Sequence, residues 1–432
     1  QVVVRALHER VRMLDNAPHL TRKLEFLVPS YSWFNVLYID IGLKIYDWLA
    51  GSARISPSKF VNREETLRLM TGLNQDGLIG SVKYSDGQFD DARYNLALIE
   101  TFDHNGGFAL NYSRVTAFSK DPNKKLSSAQ ITDQLSKESF SISAKVFVNA
   151  TGPAADSVRR MAPPTIPRRM RLSKGTHVLL PMEVFPTEQA MLIPKTDDGR
   201  VLFVVPWRGR LLVGTTDTEV EPNDELYVTR EDVEFILRQL NKYLAKPITP
   251  DQVVAGFAGA RPLVFTDQFE STKKIARDDV IEIEPVSGLI SIMGGKWTTH
   301  RAMAEDTIDV VEKSLGRVSG VCPTRHHVLY GSEGWTTDHW LELVNTYKVT
   351  PDVAHRLSTK FGTAAGNILD LAKADTSLGE RIISEQPIIR AEVVYVVRNE
   401  LAATIEDILA RRLGVQFYSW RAARGAAPLV GA

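Results

Sequence analysis

A chain of 432 residues is too long for one compact core, so two or three domains are expected. Apolar residues make up 44% and charged residues 24%, the balance of an ordinary globular chain rather than a disordered or fibrous one. Lys plus Arg and Asp plus Glu both number 52, which leaves no electrostatic footprint for nucleic acid, and the single cysteine, Cys322, excludes internal disulfides and thiolate-built metal centres.

The chain opens on a helical pattern, Val4, Leu7, Val11 and Leu14, with no capping residue ahead of it, and reads as starting inside an element. Pro18 ends that helix near Asn16, because a proline pushes its predecessor out of helical geometry. Phe34 to Ala50 is strongly apolar, but Asp40, Lys44 and Asp47 interrupt it, short of the roughly 20 apolar residues a bilayer span needs. A buried core helix is the commoner meaning of such a stretch, and a helix lying on a membrane surface is the other. Asp90 to Thr101 is helical through Ala92, Leu96 and Ile99. Short strands are expected from Gly107 to Val148, around a polar loop from Ser119 to Glu138. Val146 to Ala150 reads as a strand leading into Thr151-Gly152-Pro153, with Pro153 suited to the first position of a helix.

Pro163 to Pro167 reads as a connector between lobes, and residues 176 to 218 as antiparallel sheet with a hairpin turn at Trp207-Arg208-Gly209-Arg210. Thr229 to Ala245 is amphipathic helix, with Val233, Ile236, Leu237, Leu240 and Leu244 on one face. Asp279 to Met293 reads as two strands about Pro285-Val286-Ser287-Gly288. From Trp335 the pattern is nearly all helix, and Ala391 to Arg412 is its strongest stretch. The Ala/Gly-rich end, Ala422 to Ala432, is expected to be disordered.

The most informative segment is Gly294-Gly295-Lys296-Trp297-Thr298-Thr299-His300-Arg301, between a strand and a helix. A glycine pair lets backbone approach a bulky ligand, and the helix start beyond it offers unpaired N–H groups to negative charge, such as that of a reduced flavin. A plain strand-turn-helix with a Thr N-cap fits the same residues. The fingerprint G-x-G-x-x-G, a nucleophile elbow and metal-binding motifs are all absent, which weakens hydrolase and metalloenzyme readings. His177 stands at the opening of an apolar strand, where a histidine is more often structural than catalytic. Arg261 precedes a proline that stiffens the turn and fixes its direction, Arg277 lies just before a strand, and Lys296 follows the glycine pair. Any of them alone is an ordinary solvated charge, whereas together they can line a pocket for a small anion, with arginine gripping phosphate oxygens.

In this order, the segments resemble the FAD-linked glycerol-3-phosphate dehydrogenases, most closely the mitochondrial form, from about residue 5 to about residue 417. The motifs carrying the resemblance include Ala17-Pro18-His19-Leu20, Asp91-Ala92-Arg93, Asn149-Ala150-Thr151-Gly152-Pro153, Gly214-Thr215-Thr216-Asp217-Thr218, Arg261-Pro262-Leu263 and the block from Gly294 to Asp309. The resemblance implies an α/β (α+β) two-lobed FAD-dependent oxidoreductase fold. Its truncated Rossmann-like FAD domain would cover residues 1–16, 76–162 and 266–315, and its antiparallel-sheet substrate lobe 17–75 and 163–265. An all-α C-terminal domain, 316–421, and a disordered tail, 422–432, would follow.

The same resemblance implies oxidation of glycerol 3-phosphate to dihydroxyacetone phosphate, with electrons passed to ubiquinone. It also implies a peripheral membrane surface, a mitochondrial setting and a homo-oligomer. His177 is then the candidate proton acceptor and Arg261 orients the substrate, with Arg277 and Lys296 neutralising phosphate or flavin charge. Thr151 and Gly152 would lie near the nucleotide half of FAD, and Gly294, Gly295, Lys296, Trp297, Thr298 and Thr299 against the flavin ring. No metal is expected. The family's first strand and glycine-rich loop would precede Gln1, so low FAD affinity and lost activity are expected of the chain as it stands. Two other readings stay open: a flavin oxidase of amines or hydroxy acids, and a non-catalytic remnant or isoform.

Overall fold

The computed structural model describes residues 2–222, 224–265 and 279–431. Helix α1 (Val2–Asn16) turns Leu7 and Met13 inward, and the chain runs past Pro18 into strand β1 (Thr21–Ser30). Helix α2 (Trp33–Ala50) starts at Ser32, whose hydroxyl accepts the Asn35 N–H, and β2 (Lys59–Asn62), α3 (Arg63–Leu69) and β3 (Gly80–Phe89) follow. Asp90 caps α4 (Asp91–His104) in the same way. Helix α2 does not bury its apolar face as a core helix would: Trp33, Phe34, Tyr38 and Trp48 are 67–78% exposed. Only Val36, Asp47 and Ala50 of this helix are buried.

Strands β4 (Ser113–Lys120), β5 (Leu126–Asp133) and β6 (Ser139–Ser143) form a three-stranded antiparallel sheet. Much of the stretch expected as a polar loop is therefore strand. Leu126, Ala129 and Ile131 of β5 are buried while Ser, Gln and Thr residues take the other positions, so the period-two signal is carried by few apolar residues. Strand β7 (Val148–Asn149) and helix α5 (Ala155–Arg159) lead to β8 (Met170–Pro181), the longest strand. Next come β9 (Ala190–Ile193), β10 (Leu202–Trp207), β11 (Arg210–Gly214), β12 (Thr218–Val220), α6 (Arg230–Asn241) and β13 (Ala255–Val264).

These strands build a nine-stranded mixed sheet in the order β12-β8-β11-β10-β9-β1-β3-β2, with β13 also paired to β8. Helix α6 buries Ile236, Leu237 and Leu240 in one cluster with Val178, Leu180, Leu211 and Val213 of the sheet. A second small sheet joins β14 (Asp279–Ile283), β15 (Ile290–Gly294) and β7, the last two in parallel. Helix α7 (His300–Ser314) leaves its end.

The rest is helical: α8 (His339–Tyr347), α9 (Pro351–Phe361), α10 (Ala365–Ala374), α11 (Arg390–Asn399), α12 (Val415–Tyr418) and α13 (Trp420–Val430). They share a core that includes Leu357, Ile368, Ala391 and Val396. The long helix expected from Ala391 to Arg412 breaks at Asn399. Glu400 turns aside into a two-pronged ion pair with Arg93 of α4 (2.6 and 2.8 Å), and Leu401 takes a positive φ of 55°. The end of the chain, expected to be disordered, is mostly α13. Ser419 caps it by accepting the Ala422 N–H, and Ala426 is buried in the helical core.

Candidate active site

His177 lies within β8, well inside the strand rather than at its opening. Its cross-strand partners are Gly214 on β11 and Phe257 on β13, so these strands flank it on opposite sides. A Cβ at Gly214 would stand 2.3 Å from the imidazole Cδ2, so glycine is what leaves room for the ring. On the other flank Phe257 stacks on the imidazole, with centroids 5.1 Å apart and planes at 14°. Burial, and after it the Arg261 guanidinium, pull the imidazole down to about 4. The ring is therefore neutral near pH 7, the state a proton acceptor requires. Its Nδ1 is buried and has no hydrogen-bond partner among the described residues. Folded proteins leave few such atoms unpaired, and the histidine that carries it is one of the residues lining a cavity.

That cavity holds about 1230 Å³, above the roughly 300–1,000 Å³ usual for a small-ligand pocket. Phe26, Phe89, Trp207, Phe257 and Phe417 give it aromatic walls, with Leu24 and Val205 beside them. Helix α4 adds Asp91, Glu100 and Asp103, and the helical region adds Arg398 and Arg411. Burial first, and the nearby Glu400 charge second, push Glu100 up to about 7. The space and its apolar, stacking walls suit a planar ring system larger than a metabolite alone.

The other residues chosen from sequence fall in three places. Arg261 is half-buried on β13 beside Gly175 of β8, where a Cβ would meet its guanidinium at 2.1 Å. Its N–H groups donate to the Thr216 carbonyl (3.0 Å) and the Thr215 hydroxyl (2.5 Å). It is not among the residues lining the cavity, although its charge reaches His177. Arg261 and Pro262 belong to a strand and not to a turn. Among the described residues β13 pairs with β8 alone, so the N–H that proline lacks is not missed on the other side. Arg277 lies outside the described residues.

Gly294 and Gly295 both have positive φ, 73° and 82°. A Cβ at Gly295 would meet the Met303 side chain at 2.4 Å, so the chain's own packing already demands glycine there. Lys296 is exposed and does not line the cavity. Trp297 packs edge-on against Phe89 (5.6 Å) and Tyr94 (5.5 Å), and Phe89 faces the cavity, so Trp297 backs its wall. Thr298 is half-buried. The buried Thr299 hydroxyl donates to the Lys296 carbonyl (3.1 Å) and does not cap α7. A 3-10 turn, Trp297–Thr299, feeds straight into α7, and the Thr299 and His300 N–H groups donate to the Lys296 and Trp297 carbonyls, so the partial positive end of this helical run lies at Trp297 rather than at α7 itself. Thr151 donates to the Asn149 side chain (2.7 Å), and Gly152, with φ of 55°, opens the turn before α5. Neither lines the cavity.

The sequence reading missed Gly214, Phe257 and Phe417. Phe257 had a weak signal, a lone aromatic among Ala255, Gly256, Ala258 and Gly259. Phe417 had none. The roomy, aromatic-walled cavity fits a planar ring system such as a flavin, while no glycine-rich fingerprint occurs in the chain to grip its pyrophosphate.

Comparison with known proteins bears on the fold and the family. Residues 1–310 match the FAD dependent oxidoreductase family, and residues 322–432 match the C-terminal domain of alpha-glycerophosphate oxidase. The mitochondrial glycerol-3-phosphate dehydrogenase of Mesocricetus auratus is 36% identical across 100% of this chain, which spans 60% of that protein's length. The Arabidopsis thaliana mitochondrial enzyme is 35% identical over 98% of this chain and 70% of its own. The crystal structure of the Bacillus halodurans glycerol-3-phosphate dehydrogenase complexed with FAD superposes with a TM-score of 0.80 at 29% identity, covering 98% of this chain and 80% of that one. On these matches the chain belongs to the FAD-dependent oxidoreductase family, on its glycerol-3-phosphate dehydrogenase branch.

Proposed function

We propose that this polypeptide serves the FAD-linked oxidation of sn-glycerol 3-phosphate to dihydroxyacetone phosphate, with a quinone as final electron acceptor. The observation that carries the reading is a neutral His177 among the residues that line an aromatic-walled cavity of about 1230 Å³, room for a flavin beside a small substrate. FAD, when bound, supplies a two-electron acceptor for the hydride of the substrate's C2. His177 takes the hydroxyl proton from the same carbon, and its seat against Gly214 and Phe257 fixes the angle at which it does so. Arg261, held by Thr215 and Thr216, favours negative charge as it develops on the C2 oxygen. The aromatic walls exclude water, and Trp297, Thr298 and Thr299 would stand at the flavin, at the start of the helical run that enters α7. Thr151 and Gly152 would face its nucleotide half. Arg277 and Lys296 remain candidates for the phosphate.

Membrane attachment is part of the same proposal. No helix among the described residues is long and apolar enough to cross a bilayer. Helix α2 instead offers an exposed stripe of Trp33, Phe34, Leu37, Tyr38, Ile41 and Trp48, and the exposed Lys59 and Arg63 follow it. Tryptophan and tyrosine beside basic residues suit the headgroup level of an anionic membrane. The relatives' names favour a mitochondrial one.

Two measurements test the proposal. Anaerobic addition of sn-glycerol 3-phosphate to the protein mixed with FAD is expected to bleach flavin absorbance. Bleaching by an amino-acid substrate and not by sn-glycerol 3-phosphate overturns the reading. Co-sedimentation with vesicles containing anionic lipid is expected to fall when Trp33 and Trp48 are both changed to Ser, and unchanged binding overturns the role of α2.

A further inference from the structure

The stack on His177 does not end at Phe257. Phe417 meets the Phe257 ring edge-on, with centroids 5.3 Å apart and planes at 75°. Trp207 of β10 meets Phe417 in turn, at 5.2 Å and 70°. Phe417 comes from α12, in the C-terminal helical region, whereas the other three rings come from the nine-stranded sheet. Three contacts hold α12 and the start of α13 against the sheet. The Trp420 N–H donates to the Val254 carbonyl (3.2 Å), Arg210 Nε donates to the Tyr418 carbonyl (3.0 Å), and the Arg210 guanidinium lies 3.9 Å from the centre of the Tyr418 ring. His177, Phe257, Trp207 and Phe417 all face the one cavity.

We infer that Phe417 is a positioning residue for His177, acting through Phe257, so that the C-terminal helical region completes the site on the sheet. The physical reason lies in the shape of the seat. On the β11 flank the imidazole lies against the bare Gly214 backbone, and no side chain grips it there. Its orientation therefore rests on the Phe257 face, and an edge-on neighbour limits how far that ring can swing. Phe257 is only half-buried, with cavity on its open side, so its neighbours have to supply the constraint that a full core would give. The charged group whose field reaches the imidazole is Arg261, from β13. On the opposite flank β11 presents only the Gly214 backbone. Loosening the stack admits water to the ring and favours its protonated form.

This inference rests on His177 being the proton acceptor, and the test separates the two claims. The imidazole resonance of His177 in the full chain, assigned by its disappearance in His177→Gln, is followed against pH in wild type, Phe417→Leu and Phe417→Tyr. Phe417→Leu is expected to shift the resonance and raise its titration midpoint from about 4 toward the ordinary histidine range. Phe417→Tyr keeps a ring edge and restores the wild-type trace. With FAD added, Phe417→Leu is expected to lower kcat on the order of tenfold, with KM little changed, as a misaligned base would. An imidazole signal and midpoint identical in Phe417→Leu and wild type, at unchanged melting temperature, overturn the inference. Should the resonance move while the wild type oxidises no glycerol 3-phosphate, the positioning claim stands and the assigned reaction falls. If Phe417→Leu does not fold, Phe257→Leu carries the same readout from inside the sheet.

Discussion

The cavity wall around His177 and the seam between α4 and the helical region are both partly buried and both rich in polar groups, yet they are built oppositely. At the seam, charges meet partners. Arg93 grips Glu400 with two N–H groups and donates to the Lys360 carbonyl (3.1 Å), and its guanidinium lies 4.3 Å from the Phe361 ring. Arg208 pairs with Asp90, and Lys360 donates to the Leu413 carbonyl (3.0 Å). At the wall, a buried nitrogen is left without one. Fully paired buried charge specifies how parts of a chain dock, whereas an unpaired polar atom costs stability and persists where a ligand uses it.

Arg93→Ala is the strongest way to break that contrast. It strands Glu400 beside Glu100, and a loss of about 3–5 kcal/mol is expected in urea unfolding. Changing both partners to apolar residues of similar size should recover most of that loss. His177→Gln should do the reverse, costing little in the same unfolding curve while turnover with FAD drops on the order of 10²–10⁴-fold. Gly214→Ala sharpens the comparison between the two, because its methyl group invades the imidazole seat. A loss of about 1–3 kcal/mol is expected, with a shifted His177 resonance.

Glu100→Gln gives the smallest effect, and its sign depends on pH. Its carboxyl is raised to about 7, so the folded state holds a proton that the unfolded chain gives up above the ordinary carboxylate range. The wild type therefore loses this contribution as pH rises from about 4 through 7. Glu100→Gln should be more stable than wild type by about 1–2 kcal/mol at pH 8, with no difference at pH 4 in thermal unfolding. Histidines act in the opposite direction. His19, pulled down to about 3 by burial and then by Arg93, binds its proton more readily when unfolded, so its contribution is lost as pH falls below about 6.5.

Much of this was legible from residues with strong local signals. The amphipathic helix after Thr229 and the strands about Pro285-Val286-Ser287-Gly288 stand where periodicity puts them. What escaped was decided at a distance. No local pattern says that Glu400 will leave its helix for an arginine 307 residues earlier in the chain. Helix α2 has the composition of a core helix, and only the tertiary arrangement leaves it uncovered. His177 could be picked by type, but its neutral state comes from burial and from Gly214 and Phe257, which converge on it only when β8, β11 and β13 pair.

Pro262 has a consequence for how this protein survives crowding. A long strand at the rim of a sheet is a template on which a stray chain can add itself, and lateral growth of that kind seeds fibrils. On β13 the proline removes a donor that an incoming strand would need. Strand β15, the turn at Gly152–Ala154 and α12 pack against the same strand. The proline and these neighbours together blunt that rim as a template among the described residues.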